Sequence, residues 1–207
     1  SAQDVVIDGL RRLEYRGYDS GGIALIADQK LAVDKRAGKL ANLEKAIAGT
    51  PLPASTTGIG HTRWATHGGP TDGNAHPHVG RTGRVAVVHN GIIENFAELR
   101  ASLETDGHEF TSQTDTEVAA HLLEREVVGG ADLTIAMQKV CSILEGAFTF
   151  VAIDAQDPSR VVAARRNSPL VVGLGEGESF LGSDVAAFIE HTREAMELDQ
   201  DQVVTIT

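Results

Sequence analysis

Apolar residues recur at helical spacing at Val6, Leu10 and Leu13, which predicts an amphipathic helix over 3–15 with Gly17 as its stop. The period then changes. Residues 22–27 form a strand-like run that pairs with 31–36 across Asp28-Gln29-Lys30. A second helix is predicted over 39–48, a loop with two prolines over 49–55, and a strand over 57–62. Residues 65–83 carry no apolar period and are rich in Gly, Pro, Asp, Asn and His, the composition of a functional lid or a disordered segment. Val85 to His89 reads as a buried strand, and Asn90-Gly91, both tolerant of positive φ, reads as a tight turn. Asn95 with Glu98 predicts a capping box opening a helix to about Glu104. Thr114 with Glu117 repeats the device before a helix through Val128.

A helix over 132–145 and a strand over 147–153 follow. Further strands are predicted near 160–165, 170–174 and 178–182, then a helix near 184–191 with Ser183-Asp184 as its N-cap, then a strand over 202–206. Strands grouped in hairpins, with helices arriving in pairs, predict one antiparallel α+β layered domain over 1–207, not alternating β-α-β units.

Composition narrows the function. A formal net charge of -11 opposes nonspecific affinity for nucleic acid and for anionic membranes. A single cysteine cannot form an internal disulfide, and no apolar run approaches the roughly 20 residues of a membrane-spanning helix. The expectation is a cytoplasmic protein.

The chemistry concentrates at strand ends. Gly60-His-Thr-Arg-Trp-Ala-Thr-His-Gly-Gly69 supplies a cation, an indole, hydroxyls and imidazoles within ten positions. Arg63 at a strand end suits bidentate capture of a carboxylate, or is a solvated surface arginine. Asp115 complements a helix dipole or receives an ammonium. Asn90 and Gly91 are a hairpin turn, or two donors aimed at one oxygen as in an oxyanion hole. Trp64 reads first as core. His61, His67, His76, His78 and His89 raise metal ligation, yet no helical His-x-x-x-His pair exists and the expectation is no metal and no cofactor. Cys141 falls within an amphipathic helix and reads as a small buried hydrophobe. Gly173-x-Gly175-x-Gly177 lies between strands and is a hairpin, not a dinucleotide fingerprint.

Leu13-Glu-Tyr-Arg-Gly-Tyr-Asp-Ser20, Gly60 to Gly68, Asn74-Ala-His-Pro-His78, Val88-His-Asn-Gly-Ile-Ile-Glu-Asn95, Thr114-Asp-Thr-Glu117 and Asn167-Ser-Pro-Leu170 occur in that order. Together they closely resemble the glutaminase domain of the glutamine–fructose-6-phosphate aminotransferases, the glucosamine-6-phosphate synthases. The resemblance implies a four-layer αββα N-terminal-nucleophile fold with two antiparallel sheets, and hydrolysis of glutamine to glutamate and ammonia for amination of fructose 6-phosphate. It implies that Arg63 binds the α-carboxylate and Asp115 the α-ammonium, that Asn90 and Gly91 form the oxyanion hole, and that Trp64 to Thr71 close over the ligand, with Thr66 and His67 in the pocket. Members of that family begin with Cys-Gly-Ile-Val-Gly, whose cysteine thiol is the nucleophile and whose α-amine is the base. Ser1-Ala2-Gln3-Asp4-Val5 aligns instead with the family's first helix. The expectation is therefore a glutaminase domain lacking its first strand, and a last segment as well, without the isomerase domains of the same polypeptide, and inactive as written. The resemblance also implies a homodimer for the full-length enzyme and a monomer for this fragment. Two rivals are a non-catalytic amino-acid-binding or regulatory module and a metal-dependent hydrolase built on the histidines.

Overall fold

The computed structural model describes all 207 residues. Helix α1, Ala2–Arg12, opens on a capping box in which the Ser1 side chain accepts from the Asp4 amide and the Asp4 side chain answers the Ser1 backbone. It gives way to a 3-10 turn over Glu14–Arg16, ended by Gly17 at φ 77°. Strand β1, Ser20–Ala27, pairs antiparallel with β2, Lys30–Ala37, in the register Ile26 to Leu31. Helix α2, Leu40–Gly49, leads to β3, Gly58–Arg63, which pairs with the other edge of β1 and sets Arg63 opposite Ser20.

Next come β4, His78–Val79, and the long β5, Val85–Ile93, then α3, Phe96–Thr105, α4, Thr116–Val128, and α5, Leu133–Ile143. Strands β6, Gly146–Asp154, and β7, Val161–Arg166, precede a small meander of β8, Val171–Leu174, and β9, Ser179–Gly182. A single 3-10 turn, Val185–Ala187, then β10, Ala195–Glu197, and β11, Val203–Ile206, complete the chain.

Side-chain alternation stacks these elements in four layers. The five-stranded sheet, ordered β11-β7-β6-β5-β4, is apolar on both faces. Val85, Val87, Phe148, Phe150, Ala152, Val162 and Ala164 face α4 and α5 in the main core. The alternate residues face the other way. Ala86, Val88 and Ile153 meet Ala24, Ile26 and Ile59 of the β2-β1-β3 sheet, while Ala163 and its neighbours meet Leu170 and Val172. Helices α1 and α2 cover the outer face of β2-β1-β3 through Ile7, Leu10, Leu40 and Leu43.

The order is helix, sheet, sheet, helix, as the resemblance implies, with every strand pair antiparallel. The outer sheet layer is not one sheet but two, β2-β1-β3 and β10-β8-β9. Between them runs a groove of about 840 Å³, lined by residues of β3, β9 and α1. Neither β3 nor β9 has a strand partner on the side facing it.

Local expectations fail where groups outside the predicted element recruit the side chains involved. Asn90-Gly91 is no turn: β5 runs straight through, with Asn90 opposite Thr149 and Gly91 opposite Phe148. Neither predicted capping box forms. The Asn95 side chain instead ties Ile143 and Glu145, and Glu117 accepts from the Thr111 and Ser112 amides. The helix expected at 184–191 is one 3-10 turn, although Asp184 does cap it through the Ala186 amide. Strands β4 and β10, two and three residues long, carry too short a pattern to be read in advance.

Candidate active site

Strand alternation places Ile59, His61 and Arg63 on one face of β3, turned toward the five-stranded sheet, and all three are buried. Arg63 is 4% exposed and joins no ion pair. Its guanidinium is held by loop carbonyls: Nη2 donates to His67 and Gly68, and Nη1 to Gly69. Burial depresses its pKa, against the charges of Asp19 and Asp115. A buried cation with no anion in contact is costly, and such a site favours an anionic ligand.

Asp115 is the complementary case. At the N-cap of α4 its side chain caps nothing in its own helix. Oδ2 accepts from the Ile93 amide at 2.8 Å, and Oδ1 has no hydrogen bond in the chain. The nearest basic group, His89 Nδ1, lies 4.0 Å away. Burial holds that imidazole down to about 4, so it is neutral and leaves Asp115 uncompensated. Arg63 and Asp115 line the same cavity, together with Asn90, Gly91, Trp64 and Thr66.

Gly91 sits at φ 124°, and a Cβ there would lie 2.0 Å from the Ala147 carbonyl oxygen. Only glycine allows β5 to pass β6 in this way. Trp64 is not core. It is 67% exposed and packs against Gly17, where a Cβ would come within 3.3 Å of its ring. His67 differs from expectation too: its ring packs edge-on against Phe96, 5.0 Å between centroids, and its contribution is the backbone carbonyl that Arg63 grips.

The segment 65–83 is neither structureless nor loose. Lys35 donates to the carbonyls of Gly73, Ala75 and Pro77, Asp72 accepts from the Ala37 amide, and Asn74 bridges Gly69 and Gln113. Burial pulls the Lys35 ammonium down to about 8. Gly22 lets this segment approach, since a Cβ there would lie 2.1 Å from the His76 carbonyl oxygen.

The histidines form a packed column, not a ligand set. His61 stacks on His76 at 4.4 Å, His89 stacks on Phe150 at 4.6 Å, and His76 meets His78 edge-on. One nitrogen of each is committed to a neighbour within the fold. His61 Nε2 meets Asn90 Oδ1 at 2.7 Å, His76 Nδ1 accepts from the His89 amide, His78 Nε2 meets Thr114 and His89 Nδ1 meets Thr116. Cys141 lies outside the cavity, and burial pushes its thiol up to about 12. No helix is long and apolar enough to cross a membrane.

Sequence reasoning weighed His61 only as a metal ligand, quoted Asn74 only within a motif, and gave Lys35 no role. For His61 a signal existed, because it stands two positions before Arg63 and must share its face of the strand.

A sheet-on-sheet sandwich between helix layers, with a polar cavity at the ends of its inner strands, is the architecture of the N-terminal-nucleophile amidotransferases. It is similar to a glutamine phosphoribosylpyrophosphate amidotransferase from B. subtilis at TM-score 0.82 and 25% identity, over 99% of this chain and 44% of that one. It is similar also to an allosteric regulatory enzyme of purine biosynthesis at 0.83 and 26%, over 98% and 44%. A model of the glutamine amidotransferase domain matches residues 49–207, and the chain belongs to that family. Over its whole length it is 69% identical to a glutamine–fructose-6-phosphate aminotransferase (isomerising) of Streptomyces coelicolor, and it is 62% identical over 98% of its length to that of Mycobacterium tuberculosis. The chain spans about a third of the length of these relatives, 34% and 33%.

Proposed function

We propose that the chain binds glutamine and presents its side-chain amide for hydrolysis, as the glutaminase part of a glutamine–fructose-6-phosphate aminotransferase. The observation that carries this is the pair of buried, uncompensated, opposite charges, Arg63 and Asp115, lining one cavity with Asn90 and Gly91. A zwitterionic amino acid neutralises both ends at once. Arg63 takes the α-carboxylate through its guanidinium fork and Asp115 takes the α-ammonium on its free oxygen. The Asn90 side-chain amide and the Gly91 backbone N–H hold the amide oxygen as it gains charge. Trp64 and Thr66 form the entrance, and the loop carbonyls on Arg63 couple ligand binding to closure.

The nucleophile comes from an extended segment in the groove between β3 and β9, whose leading cysteine reaches the cavity. The α-amine of that cysteine takes the thiol proton, the thiolate adds to the amide carbon, and the tetrahedral adduct collapses as the proton passes to the leaving nitrogen and ammonia departs. Water then hydrolyses the thioester to glutamate and regenerates the thiol. Released ammonia serves the amination of fructose 6-phosphate by further domains of the same polypeptide, in a cytoplasmic homodimer.

Remoteness of the single thiol favours a second reading for these 207 residues taken alone, an amino-acid-binding module without turnover. Two measurements separate the readings. Calorimetry with glutamate is expected to show binding that Arg63→Ala and Asp115→Ala each abolish; binding unaffected by either would end the proposal. Ammonia release from glutamine is expected only when a Cys-Gly-Ile-Val-Gly start precedes the chain. Equal rates with and without it would refute the assigned nucleophile.

A further inference from the structure

Asn90 can serve an oxyanion only if its amide NH2 faces the cavity. Its two ends are nearly identical in shape, so a neighbour must decide which points where. That neighbour is His61, whose Nε2 lies 2.7 Å from Asn90 Oδ1. A carboxamide oxygen is only an acceptor, so Nε2 must carry the proton. The other ring nitrogen, Nδ1, is buried without any partner. A bare lone pair is tolerated there, whereas a buried N–H without an acceptor is rare, which again puts the single proton on Nε2. In the opposite tautomer Nε2 would accept, the Asn90 amide would turn over, and an oxygen would face the developing negative charge. The ring cannot swing away, because it is 9% exposed and stacked on His76.

We propose that His61 is a positioning residue that acts through Asn90: its Nε2–H fixes the carboxamide with the donor end toward the substrate oxygen. This rests on the reading of Asn90 as an oxyanion donor. His61 itself touches no reacting atom. His61 and Arg63 lie two residues apart on the same face of β3, so one strand sets both the carboxylate anchor and the polarity of the oxyanion hole.

The test uses the full-length protein with its N-terminal cysteine, assayed for glutamate release. His61→Leu is expected to lower kcat by roughly tenfold or more, up to the loss seen with Asn90→Ala, because losing one oxyanion donor costs about 100- to 1,000-fold. KM for glutamine stays within about twofold, since neither group binds the α-carboxylate or ammonium. His61→Gln, which keeps an N–H donor, recovers most of the rate. In the Asn90→Ala background, His61→Leu has no further effect. Imidazole 15N spectra of the wild-type protein are expected to report the Nε2–H tautomer. If His61→Leu does not fold, those spectra alone decide. Multiplying losses in the double variant, a raised KM, unchanged turnover in His61→Leu, or an Nδ1–H tautomer would each overturn the assignment. Wild-type turnover in Asn90→Ala would instead overturn the oxyanion-hole reading beneath it, a result distinct from all of these.

Discussion

Arg63 and Asp115 show how a single residue's surroundings turn an ordinary side chain into a binding group. Each is almost wholly buried and each lacks a counterion. Their cost in the empty fold becomes affinity when a zwitterion arrives. Arg63→Lys keeps the charge but loses the planar fork, and is expected to weaken glutamate binding about 10- to 100-fold by calorimetry, roughly 1.4–2.8 kcal/mol. Unaltered affinity would mean that the fork does not hold the carboxylate. Gly91 is a backbone case. Alanine there meets both a forbidden φ and the Ala147 carbonyl, so Gly91→Ala is expected to lower unfolding stability in urea by roughly 2 kcal/mol or more. A variant as stable as the wild type would show that β5 can relax at no cost.

At the level of elements, β3 and the 65–83 segment act together. The strand supplies Arg63, and the segment returns three carbonyls to hold it. Lys35, from β2, staples the far half of the segment through three more. Removing the ammonium leaves these acceptors without their charged donor, at a cost of about 1–3 kcal/mol. Lys35→Met is therefore expected to speed amide hydrogen exchange over 72–78 at least tenfold while leaving α4 and α5 protected. Unchanged exchange over 72–78 would show that Asn74 and Asp72 suffice.

For the molecule as a whole, the histidine column makes stability depend on pH. Burial holds His61 and His89 down to about 4 and His78 to about 3, while His76 lies well below its ordinary value. In the unfolded chain each titrates near roughly 6.5. As pH falls below that value the unfolded state takes up protons that the folded state refuses, so stability present above about 6.5 is lost toward 4. Urea unfolding at pH 7.5 and 5.5 is expected to differ by about 1 kcal/mol for each of these four histidines, with the lower pH less stable. Equal stabilities would contradict burial in the neutral form. Glu117 does not confuse this window. Burial alone would raise its carboxyl, but donors from His121, Ser112 and Thr111 outweigh that and hold it below the ordinary range.

By itself the sequence determined the antiparallel α+β class, most element positions and the chemical identity of the candidate site, because periodicity and residue type are local quantities. Val85 to Val88 is an unbroken apolar run and 147–153 is apolar at every position but Thr149, the pattern of strands buried on both faces, and Arg63 could be placed at a strand end from its neighbours alone. The tertiary structure decided what depends on distant partners. It converted Asn90-Gly91 from a turn into mid-strand positions, because β6 was there to pair with them. It also drew Asn95 and Glu117 away from capping their own helices. Trp64 went to the surface, a polar loop became a framework fastened by Lys35, and four of the five clustered histidines became a neutral column, with His67 left against Phe96. Hydrogen-bonding side chains go wherever an unpaired group is buried near them: for Asn95 and Lys35 that neighbour was many positions away along the chain, and for Glu117 it lay five and six positions back, outside its own helix.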